Sequence, residues 1–209
     1  MKRADRHDES RLRARRQRVA YEAARLIALH GVQDYQLAKQ KAAQALGISD
    51  DASLPRNTEV QDQLRDYQRL FQGDEQPREL RRRREAALEA MKFFERFDPR
   101  LVGSVLDGTA DTHSPIDLQV FSDDPDEVAR FVFEAKPPAQ LRERKLRIGR
   151  ESVRAFPAWE FSVDGLSIEI VVLPIEQLRQ APLSAVDGKP MQRATPAAVR
   201  KLLAEDGTP

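Results

Sequence analysis

Near residue 99 the hydrophobic period of this chain changes, and no all-helical or all-strand fold accommodates both halves. Upstream, apolar residues recur every three or four positions. Val19, Ala23, Leu26 and Ile27 form one such series, and Val60, Leu64, Tyr67 and Phe71 form another. This spacing lines one face of a helix. Gly31, Gly47 and Gly73 stand where three helices should stop, and Pro77 opens a fourth that carries Leu80, Ala87, Leu88, Met91 and Phe94. Asp34 and Asn57 are the expected N-caps of the second and third helices. Downstream, short apolar runs take over. Strands are predicted over 100–106, 116–122, 143–149, 157–163 and 166–173. A helix is predicted over 124–135, a helical turn over 175–180 and a last helix over 196–205. Asp164-Gly165 between two apolar runs is a hairpin signal. The expected fold is α+β. A helical region, residues 1–98, packs on a domain of residues 99–209 whose mostly antiparallel or mixed sheet carries flanking helices.

Composition narrows the classes. A chain of 209 residues with 40% hydrophobic content buries a real core. Thirty-five Lys and Arg against 34 Asp and Glu leave a net charge of +1, so global charge selects no partner. The absence of cysteine excludes disulfides and thiolate metal sites, and fits a reducing compartment. The first residues are charged, and no apolar run approaches the roughly 18 residues of a membrane span. Neither signal peptide nor membrane partner is expected, and a cytoplasmic location is the default.

The stretch that carries chemistry is Gly103-Ser104-Val105-Leu106-Asp107-Gly108-Thr109-Ala110, closed by Ser114-Pro115-Ile116-Asp117-Leu118. It reads as a strand, a turn of small residues, and a second strand bearing a carboxylate. Gly103 has no Cβ and lets the backbone approach a ligand closely. The amides of Ser104 and Val105, at the head of a helical turn, are placed to face a phosphate. Asp117 sits among apolar residues, where an acid is costly to bury unless it is paired or holds a cation.

Those residues resemble the polymerase-β nucleotidyltransferase superfamily, whose small bacterial members show a stretch close to G-S-x-A-x-G-x-A-x-x-x-S-D-I-D-L. Gly103, Ser104, Gly108, Ala110, Ser114, Ile116, Asp117 and Leu118 fall in register with it, without a gap. The resemblance covers roughly residues 88 to 174. It implies a nucleotidyltransferase-like fold and a third carboxylate on a later strand, for which Glu169 in Leu166–Leu173 is the candidate. It implies Asp117 and Glu169 as catalytic, metal-holding residues for a magnesium ion (Mg2+). Gly103, Ser104 and Gly108 would hold the phosphates of a nucleoside triphosphate (NTP) substrate. The chain departs from the family at Pro115, where the first metal-binding Asp would stand. Proline offers no ligand atom and no N–H. His113 and Asp111 are the nearby substitutes. Two functions therefore stand: transfer of a nucleoside monophosphate to a hydroxyl, or an inactive nucleotidyltransferase fold that binds nucleotide, RNA or a protein partner.

Other constellations are weaker. Gln119 shares a strand face with Asp117 and offers amide contacts to a base or ribose. Lys189, in a turn near the end of the fold, is a candidate for the triphosphate. Ser122-Asp123-Asp124-Pro125-Asp126 is read as a helix start, where acids favour the positive dipole end. Residues 1–20 hold eight basic and three acidic side chains, and Arg81-Arg82-Arg83-Arg84 is a second basic run. Such runs are commonly solvated faces; a basic rim for RNA is the alternative, with Arg82 and Arg83 on it.

Overall fold

The computed structural model describes residues 2–135, 138–149 and 152–206. The chain forms two units, Met1–Gly73 with Ala185–Asp187, and Asp74–Ser184 with Gly188–Pro209.

The first unit is built on α1 (Lys2–His30), α2 (Tyr35–Ala45) and α3 (Asn57–Phe71). Alanines on α1 and α2 let these helices approach closely: Ala23, Ala24, Ala38 and Ala42 are fully buried beside Val19, Val60 and Leu64. Asp34 starts α2 by accepting the N–H groups of Gln36 and Leu37 at 2.7 and 3.0 Å. The start of α3 differs from expectation. Its cap is Arg56, whose N–H donates to Glu59 Oε2 at 2.7 Å, and Asn57 is already helical. The Asn57 amide instead donates to the Ala185 carbonyl at 2.7 Å.

The second unit begins with α4 (Glu75–Phe93), which helical periodicity alone groups with the preceding helices. The helix packs on the sheet because Met91 and Phe94 are large and fully buried in the sheet's core. Then follow β1 (Arg100–Val102), α5 (Gly103–Asp107), β2 (Ile116–Phe121), α6 (Pro125–Ala135), β3 (Gln140–Arg147), β4 (Val153–Val163), β5 (Leu166–Leu173) and α7 (Pro196–Glu205). The first strand stops at Val102 instead of running to 106. Gly103, at φ +72°, turns the chain into α5.

The sheet is mixed, in the order β1-β2-β5-β4-β3. β2 runs parallel to β5, and the other pairings are antiparallel. One face carries Leu118, Val120, Trp159, Phe161, Ile168 and Ile170 against α4, α6 and α7. The other carries Phe121, Phe156, Ala158, Val171 and Leu173, covered at that end by Leu146 and Leu178. Alternation along the strands puts Asp117 and Glu169 on this second face. The fold is thus α+β, with helices leading and a five-stranded sheet behind. Among the described residues no helix is long and apolar enough to cross a membrane.

Candidate functional site

The site is a row of acids across three strands. Asp117 on β2 is in register with Glu169 on β5, and Glu169 with Glu160 on β4. In-register residues of neighbouring strands point to the same face, with Cβ atoms about 4.5–5.5 Å apart. Like charges at that separation repel, so the row needs compensation. Arg142 and Arg144 on β3 supply part of it. Arg142 Nε lies 2.6 Å from Glu160 Oε2, and Arg144 Nε lies 3.4 Å from Glu169 Oε1. Arg144 pairs across the ladder with Phe156, two residues before the small Ala158. That alanine leaves room for the guanidinium to reach Glu169 diagonally.

Asp117 is the exception in the row. Among the described residues it has no hydrogen-bond or ion-pair partner. Desolvation, then the charge of Glu169, push its carboxyl up to about 7, with Asp107 adding to the rise and Arg144 opposing it. The strand β1 closes one side, Val102 pairing with Asp117. Gly103 closes the top. A Cβ built on it would stand 2.5 Å from Asp117 Oδ2, so only glycine leaves that carboxylate its place.

The remaining motif residues divide into lining and scaffold. Ser104 is half-buried, and its carbonyl accepts the N–H groups of Gly108, Thr109 and Ala110 at 3.0, 3.0 and 3.1 Å. Its hydroxyl makes no hydrogen bond among the described residues. Gly108, at φ +86°, ends α5, and its carbonyl accepts from Gln76 Nε2 at 3.0 Å. These observations give it a turn-forming role. Lys189 is exposed on the turn whose base pairs Leu183 with both Arg147 and Pro190; its carbonyl accepts the Ser184 N–H at 2.7 Å. Asp111 is buried and closes the turn before β2, accepting the His113 N–H at 2.9 Å and the Ser114 hydroxyl at 3.1 Å.

Two sequence expectations change here, those for Gln119 and for the arginine run, while the acidic run at 122–126 begins a helix as expected. Gln119 is fully buried, not presented to a ligand: Arg193 Nε donates to its Oε1 at 2.7 Å, and its Nε2 lies 3.6 Å from Met191 Sδ. Arg83 and Arg84 are buried tethers and not part of a basic rim. Arg83 donates to the Ser114 and Thr112 carbonyls at 2.9 and 2.8 Å and pairs with Glu79. Arg84 donates to the Val105 carbonyl at 3.1 Å and pairs with Asp206 at 2.6 Å. The acidic run at 122–126 is the start of α6, with Asp124 paired to Arg130 at 3.0 Å. Of the first basic cluster, Arg15 faces Asp50 at 3.5 Å and Arg16 donates to the Ala52 carbonyl at 2.9 Å; the side chains of Lys2, Arg3 and Arg6 lie outside the described residues.

The donor chemistry suits one hard cation. Asp117 and Glu169 offer carboxylate oxygens on one face, and a cation between them would offset the desolvation and the mutual repulsion that raise the Asp117 pKa. Pro115 adds nothing, and among the described residues no three His, Cys, Asp or Glu side chains gather to hold a metal. Two carboxylates leave most of a magnesium shell to water or phosphate oxygens, a usual arrangement for that ion. A cavity of about 440 Å³ in the helical unit, lined by Arg18, Tyr21, Glu22 and Gln63 among others, has no comparable acid pair. Comparison of the chain with models of protein families, with curated proteins and with solved structures returned no match.

Proposed function

We propose that this chain is a nucleotidyltransferase-like protein whose acid face binds a nucleoside triphosphate through one divalent cation. The observation that carries this reading is the in-register pair Asp117 and Glu169, with the Gly103 backbone packed against the Asp117 carboxylate. In this reading Asp117 and Glu169 hold the cation, and Gly103 and Ser104 border the phosphates. The order of elements agrees with the motif that suggested it, since a strand, a turn and an acid-bearing strand follow one another and the later acid lies on the adjacent strand. The reaction such a site serves in the resembling superfamily is attack of a hydroxyl on the α-phosphorus with release of pyrophosphate. That chemistry uses two metals clamped between carboxylates.

Pro115 favours a second reading, in which the fold binds nucleotide and does not transfer it. The donor set holds one cation and lacks the acid that would seat another. One pair of measurements separates the readings. Thermal melting with each nucleoside triphosphate, with and without magnesium or manganese, reports binding, because a ligand of the folded state alone raises the midpoint. Pyrophosphate release with the same mixtures reports transfer. A metal-dependent rise in midpoint that disappears in Asp117→Asn supports the site. Midpoints unaffected by every nucleotide would refute it.

A further inference from the structure

Arg193 is a half-buried cation without a counter-ion. Its Nε donates to Gln119 Oε1 at 2.7 Å and its Nη1 to the Gln177 carbonyl at 2.6 Å, while its guanidinium lies 5.2 Å from the centroid of the Phe121 ring. Its Nη2 is shielded from solvent and has no partner, and neither has the neighbouring Gln177 Oε1. Among the described residues no carboxylate reaches it. Burial, and then the charge of Arg100, work against its protonated form, and Arg100 has its own acid in Asp98 at 2.6 Å. A desolvated, unpaired guanidinium is costly unless an acceptor arrives to share its charge. Guanidinium forks match phosphoryl and carboxylate oxygens best.

Its position says which ligand. Gln119 follows Asp117 by two residues on the same strand face, so Arg193 is anchored about 7 Å along β2 from the acid pair. A ligand with a cation at Asp117 and Glu169 and an anionic group one strand step further on would satisfy both. We propose that Arg193 binds a phosphoryl group of the ligand whose cation lies at the acid pair. The inference rests on the nucleotide reading above and assigns the end of the polyphosphate that the cation does not hold.

The test is isothermal titration with inorganic tripolyphosphate free of divalent metal, repeated with magnesium and ATP. Wild type is compared with Arg193→Met, which keeps the apolar stem, with Arg193→Lys, which keeps the charge, and with Arg100→Met as a neighbouring control. Tripolyphosphate should bind wild type, bind Arg193→Met at least tenfold more weakly, bind Arg193→Lys at an intermediate level, and bind Arg100→Met within threefold of wild type. A melting curve of each ligand-free variant is run beside the titration, because Arg193→Met also strands Gln119 Oε1 and the Gln177 carbonyl, which Arg193→Lys can still serve in part. Absence of tripolyphosphate binding in wild type, or equal binding by all variants, overturns the proposal. If magnesium and ATP bind wild type and both Arg193 variants alike, the proposal falls and the nucleotide reading stands. If tripolyphosphate binds through Arg193 and no nucleotide binds with metal, the anion site stands and the nucleotide reading falls.

Discussion

Asp117 is a buried acid without a partner among the described residues, and its raised pKa has a consequence for stability. An acid whose folded pKa is about 7 and whose unfolded pKa is near 3.9 binds its proton more tightly in the folded state between those values. The stability it contributes is complete below about pH 4, declines as pH rises, and is gone above about pH 7, with a slope of at most about 1.4 kcal/mol per pH unit. Asp117→Asn mimics the protonated form at every pH. Urea denaturation should therefore find the variant close to wild type at pH 4.5 and more stable at pH 8. Equal pH profiles would show that Asp117 ionises freely in the folded chain. Pro115→Asp should act in the opposite direction. A third acid two residues before Asp117 adds repulsion without metal and a ligand oxygen with it. Magnesium or manganese should then bind more tightly than to wild type, with a melting curve run beside the titration to show that the freed N–H has not unfolded β2. A folded variant with unchanged metal affinity would mean that the site lacks more than this carboxylate. Sequence alone marks Gly103 and Asp117 as a pair through the motif. What it does not give is the reason for the glycine, the 2.5 Å approach to Asp117 Oδ2, because that distance depends on how β1 and β2 pair.

Helix α4 fixes the segments beside Asp117 through two buried arginines. Arg83 leaves its buried side and bonds to the carbonyls of Thr112 and Ser114, which precede β2, and Arg84 bonds to that of Val105, in α5. These are charge-assisted bonds to backbone atoms that have few other donors. Arg83→Met should lower stability by about 2–4 kcal/mol, since it strands two carbonyls and Glu79. Arg81→Met, which removes an exposed pair with Glu85, should cost less than about 1 kcal/mol. Equal losses in urea denaturation would contradict the tethering role. The run of four arginines reads as a solvated face because helical periodicity spreads them around the axis; it cannot say which side the sheet will cover. Elements with a strong local signal are legible: α2 from Asp34, α6 from its acidic start, and the β4–β5 hairpin from Asp164-Gly165. That hairpin also fixes a register. A two-residue turn at Asp164-Gly165 pairs Val163 with Leu166, and counting back pairs Glu160 with Glu169, so the third acid of the row follows from the turn. The parallel register of β2 on β5 has no such local marker. Arg142 and Arg144 look like ordinary edge-strand charges until β3 is placed beside β4.

At the scale of the whole molecule, the two units have separate cores. Val19, Ala42, Val60 and Leu64 belong to one buried cluster, and Met91, Phe94, Ile170 and Val172 to another. The chain's aromatic residues happen to report on each core independently. Its one tryptophan, Trp159, is buried in the sheet unit, and its three tyrosines, Tyr21, Tyr35 and Tyr67, lie in the helical unit. A ligand of the acid face binds residues of the sheet unit alone, Asp117 and Glu169 from β2 and β5. Linkage then stabilises whatever unfolds together with those strands, by about 2.7 kcal/mol at a ligand concentration of 100 times Kd. Magnesium with the binding nucleotide should raise the midpoint reported by Trp159 fluorescence by several degrees. Tyrosine circular dichroism should report a midpoint that moves little, because no acid-face residue belongs to the helical core. Asp117→Asn should remove the tryptophan shift and leave the tyrosine signal unchanged. A ligand-induced shift seen by the tyrosines and not by Trp159 would place the binding site in the helical unit, in the cavity beside Tyr21 and Glu22 and away from the acid row. Equal shifts in both signals would show one cooperative transition across the two cores, and titration of the Asp117 variant would then have to locate the site.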